Sequence, residues 1–147
     1  MTPDQRILVR QSFDFIRPMS HQAAGLFYQR LFEIAPEVAP LFAESDMKSQ
    51  GHRMMAALNL IAHSLDEPTV LIPIARELAQ RHVGYGVRPE HYQPVGEALI
   101  WALETGLGPN FDTETKAAWA AAYGALSDAM IAAAYGPDGK TGIEAAE

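Results

Sequence analysis

The sequence has no cysteine, few basic residues and no long apolar run, and each shortage excludes something. Without cysteine there are no disulfides, no thiolate-held zinc or iron and no cysteine nucleophile. With 11 basic side chains against 18 acidic ones and a net charge of −7, no basic stripe is available to replace counterions on a phosphate backbone, so a nucleic-acid partner is not expected. No stretch reaches the ~18 consecutive apolar residues of a membrane-spanning helix, and Met1 leads into Thr2-Pro3-Asp4-Gln5 rather than a basic and then apolar leader. No membrane partner is expected, and the location is expected to be cytoplasmic. Any metal chemistry must rest on the five histidines or on carboxylates.

What is present is helix-forming. Alanine occurs 24 times, valine and threonine six times each, and the 147 residues suffice for one well-buried domain. Thr2 and Gln5 form a capping-box pair around Pro3, opening a first helix that ends near Arg17-Pro18. A second runs from about Ser20 with Ala24, Phe27, Leu31 and Ile34 on one stripe, and Pro36 to Phe42 forms a short turn-like helix. From about Lys48, residues Met54, Leu58, Ile61 and Leu65 step by 4, 3 and 4, closed by Asp66-Glu67-Pro68. The next helix is expected to be short and interrupted at Pro73, with Ala75, Leu78, Ala79 and His82 on one face before Gly84 and Gly86. Pro89 opens a long helix ended by Gly106-Leu107-Gly108-Pro109, and Asp112 caps a last one carrying Trp119, Tyr123, Leu126 and Met130. The expectation is an all-α domain of seven to eight helices over residues 1–136, followed by a disordered tail over 137–147. The mixed helix lengths and proline breaks suit a non-bundle packing better than a four-helix bundle.

Among the histidines, His82 is the informative one, because it lies on a buried stripe one turn beyond Leu78. A buried neutral imidazole needs a partner for each nitrogen; a carbonyl four residues back can take one N–H and leave the other nitrogen for a metal. On spacing alone, a satisfied core histidine is the better explanation. His21, His63 and His91 sit at polar helix ends. His52 falls two residues after Gln50, about 200° around an ideal helix, and is read as a surface residue. No histidine pair has the HExxH spacing of a zinc protease, and no carboxylate cluster suggests two metals.

A wider, ordered pattern changes the weighting: Gly25-Leu26-Phe27-Tyr28, Pro40-Leu41-Phe42, Lys48-Ser49-Gln50, Arg81-His82, Gly86 through Tyr92, and Trp119 through Gly124. Together these resemble the single-domain bacterial globins and the haem domain of flavohaemoglobins, with neuroglobin a more distant relative. The resemblance runs from about Thr2 to Tyr135 and implies a globin fold around haem b, iron protoporphyrin IX. It implies that His82 ligates the iron on its proximal side and that Phe42 packs on the porphyrin. Tyr28 and Gln50 match the distal pair, and a phenol and an amide can both donate to a bound dioxygen carrying partial negative charge. Arg53, or Lys48 beside it, is placed to pair with a haem propionate. Met54 stands where the family usually has leucine, and Leu78, Val87, Tyr92 and Val95 complete the pocket. The family's flavohaemoglobins carry a glutamate behind the proximal histidine; Ala134 occupies that position here. Dioxygen, nitric oxide and carbon monoxide are the implied ligands, reversible binding the implied activity, and nitric oxide dioxygenation with a separate reductase the enzymatic alternative. A haem-free sensor or interaction domain is the third possibility, disfavoured by the presence of His82.

Overall fold

The computed structural model describes residues 1–136; the expected disordered tail lies outside the described residues. Six α-helices account for most of them: α1 (Pro3–Ile16), α2 (Ser20–Ile34), α3 (Met47–Ala62), α4 (Pro68–Gly84), α5 (Tyr92–Leu107) and α6 (Thr113–Tyr135). Four 3-10 turns, at Arg17–Met19, Pro36–Phe42, Pro89–His91 and Gly108–Asn110, fill the corners. There is no strand among the described residues. The expected count of seven to eight helices is thus met only if the longer 3-10 segment is included, since Pro36 and Pro40 withhold the amides that an α-helix there would need.

The starts follow from local chemistry. Thr2 accepts from the Gln5 amide while Gln5 accepts from Thr2, and the carboxylates of Asp46 and Asp112 accept from amides in the first turns of α3 and α6. The helix bearing His82 departs from expectation. It is 17 residues long and runs through Pro73 without a break. Its missing N–H falls only five residues after Pro68, so one backbone bond is lost early in the helix while the rest of the ladder continues to Gly84. Pro89 opens a 3-10 turn rather than α5 itself, which starts at Tyr92.

Packing divides the molecule into two cores. The larger joins α1, α2, α5 and α6 through Val9, Phe13, Ile16, Phe27, Leu31, Leu99, Leu103 and Trp119. The smaller gathers Ala75 and Ala79 of α4 around Tyr92, Met130 and Tyr135. Thus α3 rests on α2 and α1, whereas α4 rests on α6. These two helices spend their packing faces on different partners.

Two glycine contacts set the spacing of the frame. A Cβ on Gly51 would lie 3.1 Å from that of Ala24, so α2 and α3 cross closely there. A Cβ on Gly96 would lie 2.6 Å from the Tyr123 ring, so the α5–α6 contact requires glycine.

Candidate functional site

The close crossing at Ala24 and Gly51 carries one half of the site. One turn beyond Ala24 comes Tyr28, and immediately before Gly51 comes Gln50. Tyr28 is buried, with Phe27 edge-on at 4.8 Å and Phe42 edge-on at 5.4 Å. Burial raises the phenol's pKa; the Gln50 amide and the Arg53 charge, both close enough to matter, pull the other way. The hydroxyl therefore keeps its proton at neutral pH and is a donor. The Arg53 guanidinium donates to Gln50 Oε1 at 2.8 Å. That bond occupies the carbonyl end of the amide, so its NH₂ is the end that acts on the Tyr28 phenol. Arg53 is exposed, and its contact with Gln50 is the one the structure displays rather than an isolated propionate-seeking charge. Met54 follows Gln50 by one turn and is half-buried against the larger core.

The other half is α4. His82 Nδ1 donates to the Leu78 carbonyl at 2.7 Å, one turn back on its own helix. Burial lowers the ring's pKa while that carbonyl partly offsets the effect, so the imidazole is neutral at neutral pH. With Nδ1 carrying the proton, Nε2 holds a lone pair and has no hydrogen-bond partner among the described residues. The Tyr92 ring stacks on His82 at 6.4 Å with 27° between planes. Leu78 and Val87 are half-buried in the same small core, and Val95 packs into the larger one. Tyr92 Oη is buried and unpartnered, and burial pushes its pKa up to about 12.

The segment Pro36–Phe42 connects the halves. Its Phe42 touches Tyr28, while the Leu41 side chain lies 3.2 Å from where a Gly86 Cβ would be, just past the end of α4. Gly86 has φ +92°, a left-handed conformation that favours glycine and lets the chain turn at this contact. Tyr28, Gln50 and Phe42 thus form one wall and His82, Leu78 and Tyr92 the other. His52 and His21 are exposed, and His63 bridges Asn59 and Asp14, so none competes with His82. A separate open groove of about 640 Å³ lies among α1, α2 and α3, floored by Phe13, Phe32 and Met55. Tyr28 lines it, and neither Phe42 nor His82 does.

These walls fit a flat aromatic macrocycle holding a metal. One helix offers a neutral imidazole with Nδ1 tied to backbone, apolar and aromatic side chains pack beside it, and two other helices carry a phenol and an amide able to donate hydrogen bonds. No group of three or more histidine, cysteine or acidic residues suited to an all-protein metal site exists among the described residues. A single protein ligand suffices only when the other equatorial ligands arrive with the cofactor.

An all-helical domain carrying a backbone-tied neutral imidazole and, on other helices, a phenol–amide pair is compatible with a haem protein, and comparison with known proteins specifies which kind. The globin family profile matches residues 25–130, and the chain belongs to the globin family. It is 35% identical over 133 residues to the flavohemoprotein of Bordetella parapertussis, covering 89% of this chain and 33% of that one. The Bacillus subtilis flavohemoprotein is 29% identical over 126 residues, with 84% and 32% covered. The chain therefore spans about a third of the length of these relatives. Among solved structures, a bacterial globin of Campylobacter jejuni superposes with TM-score 0.80 at 26% identity, covering 90% of this chain and 95% of that one. An engineered carbene transferase made from a candidate nitric oxide dioxygenase of Rhodothermus marinus gives 0.79 at 31% identity, with 88% and 90% covered.

Sequence reasoning missed two side chains here. Tyr135 Oη donates to the Val87 carbonyl, and Tyr123 Oη donates to the Tyr92 carbonyl at 2.5 Å. Tyr123 reads from its spacing as an ordinary core residue, and Tyr135 as a helix terminus. Only a long-range contact reveals that both phenols grip the segment behind His82.

Proposed function

We propose that this chain is a haem protein that binds dioxygen, and with it nitric oxide and carbon monoxide, reversibly. Haem b, when bound, would supply the ferrous iron that takes a diatomic ligand. His82 Nε2 holds the iron on the proximal side, and the Leu78 carbonyl fixes the ring's tautomer and strengthens it as a ligand. Phe42, Met54, Leu78, Val87 and Val95 give the porphyrin an apolar seat. Tyr28 supplies an O–H and Gln50 an N–H to a ligand that gains partial negative charge on binding, and both donors are in place beforehand. Arg53 steadies Gln50 and, as an exposed cation, is also available to a propionate.

The observation that carries the reading is His82, with its Nδ1 tied to backbone and its Nε2 free. The test is direct: purified protein supplied with haem should be red, with a Soret band that shifts on reduction and again under carbon monoxide. A colourless protein that takes up no added haem would defeat the proposal and restore the haem-free alternative.

Kinship with a candidate nitric oxide dioxygenase over most of both chains favours a second activity on the same site. For that activity the haem, when bound, would supply the dioxygen and the one electron that converting nitric oxide to nitrate requires, Tyr28 and Gln50 would donate hydrogen bonds to the dioxygen, and a separate reductase would return the electron. Mixing the dioxygen-loaded protein with nitric oxide should yield stoichiometric nitrate in one turnover. Sustained turnover should require an added electron donor.

A further inference from the structure

The open groove among α1, α2 and α3 departs from the rest of the chain in its charge. Its volume of about 640 Å³ is within the range of pockets that hold small molecules. The helices α2 and α3 touch at Ala24 and Gly51, both of which line it, while Gly25 has open space where a side chain would stand. Phe13, Tyr28, Phe32 and Met55 give it three rings and a thioether. Arg17, His21, Lys48 and His52 line it as exposed polar groups. None of its lining residues is acidic, although the chain carries a net charge of −7. The carboxylates that adjoin it in sequence are each held by other donors. Asp14 accepts from Arg17 at 2.9 Å and faces His63 Nε2 at 3.1 Å. Glu33 pairs with Arg30, and Asp46 accepts from the Ser49 hydroxyl and the Lys48 amide. Arg17 is thereby engaged. The Lys48 ammonium takes part in no ion pair among the described residues, so it is the cation the groove has to offer.

We propose that this groove is a binding site for a small aromatic anion, a carboxylate or sulfonate carried on a ring system. Its apolar surface requires an apolar body, and rings beside a thioether favour an aromatic one through edge and face contacts. A neutral body would leave the Lys48 ammonium without a counter-charge, and a cationic one would meet only like charge. An anionic head beside Lys48 gains a charge-assisted hydrogen bond, and the His21 and His52 rings are further donors. His21 lies on α2 and Lys48 and His52 on α3, so donors border the aromatic floor from two helices. Tyr28 belongs both to this floor and to the aromatic cluster with Phe42. On the function proposed above, an occupant therefore touches the ring that carries a distal donor. Binding itself does not depend on haem, since neither His82 nor Phe42 lines the groove.

The test uses a naphthalenesulfonate as probe, followed by heteronuclear NMR. It is titrated into the purified chain, and again after saturation with haem and carbon monoxide, which closes the haem crevice to it. Both titrations should move the amides of Ala24, Gly25, Lys48, Gly51, His52 and Ala56 along one saturating curve. A Kd on the order of 0.1–1 mM suits a ligand of this size. Lys48→Gln should weaken binding about two- to fivefold, the worth of one exposed ion pair. Ala56→Trp adds a ring at an exposed helical position of the groove and should abolish saturation with its helical circular dichroism intact. A naphthol, which has the body without the charge, and hexanesulfonate, which has the head without the rings, should each bind more weakly. Shifts that vanish once haem is bound would put the probe in the haem crevice and overturn the proposal. Binding that Lys48→Gln leaves unchanged, or a naphthol or hexanesulfonate that binds as tightly, would overturn it too. Failure of the chain to take up haem would defeat the function proposed above and leave the haem-free titration to decide the groove.

Discussion

The two walls of the haem crevice are held in different ways. On the α3 side, the chemistry lies in side-chain ends: Tyr28 Oη, the Gln50 amide and an exposed Arg53 that orients it from one turn away. On the α4 side, the critical atom is fixed by main chain. The Leu78 carbonyl holds Nδ1, the Val87 amide holds the His82 carbonyl, and two α6 phenols hold the carbonyls of Val87 and Tyr92. Side-chain donors are replaceable one at a time, so on the proposed function the distal wall would tune ligand affinity locally. A backbone-anchored ring moves only if a helix end moves, so the proximal wall sets geometry and responds to packing.

The largest test of this contrast removes the anchor. His82→Ala should speed haem loss on the order of a hundredfold or more, measured by transfer to an apo acceptor, because a direct ligand outweighs the 10–100-fold typical of its supporting partners. An ordinary histidine-ligated ferrous spectrum in that variant would mean another residue binds the iron. Next, Tyr28→Phe keeps the ring and deletes the donor. Dioxygen dissociation followed by flash photolysis should accelerate roughly 10–100-fold, the value of about 1.5–3 kcal/mol for a hydrogen bond to a charged group. If the off-rate does not change, Tyr28 plays no part in ligand retention.

Two glycines sharpen the comparison with opposite signs. Gly96→Ala drives a methyl into the Tyr123 ring and should destabilise the fold by about 1–3 kcal/mol in urea titration. A Cβ at Gly25 on α2 meets nothing within 4 Å, and Gly25→Ala should stabilise by about 0.5–1 kcal/mol through helix propensity. Equal effects at the two positions would deny that the proximal packing is the tighter. The smallest effects concern two aspartate caps, Asp46 before α3 and Asp112 before α6. Hydrogen bonds from Ser49 and Lys48, and from Thr115, hold these carboxyls below the ordinary 3.8. A folded-state pKa below the unfolded one contributes stability above pH 3.8 that fades as pH falls through the lowered value. Asp46→Ala and Asp112→Ala should therefore melt slightly below wild type at pH 7, with the difference closing in stronger acid. A gap that stays constant across that range would show the caps act without their charge.

Much of this was legible in the residues. Pro3 with its capping box, the 4-3-4 stripes and Asp112 placed the helices to within a few positions, because local backbone chemistry decides starts and stops. Pro73 misled, since proline marks a break by its lost amide, yet α6 supplies a packing face that carries α4 past it. His82 was recognisable because register with Ala75 and Ala79 puts it on a buried stripe, but only the ordered motifs raised it above a core histidine. Arg53 was placed near the site and not against Gln50, as a flexible exposed side chain has no sequence-readable orientation. The grip of Tyr123 and Tyr135 was invisible, because it joins residues 31 and 48 positions apart in the chain.

The sequence by itself determined the helical class and the absence of thiolate chemistry. Those follow from composition, period and side-chain type, which are local properties. Tertiary structure alone decided that α3 and α4 pack on different neighbours, that His82 keeps Nε2 free, and that α6 holds the segment behind it. These depend on which surfaces meet, and contact between distant segments is settled by the packing of the whole chain rather than by any stretch of it.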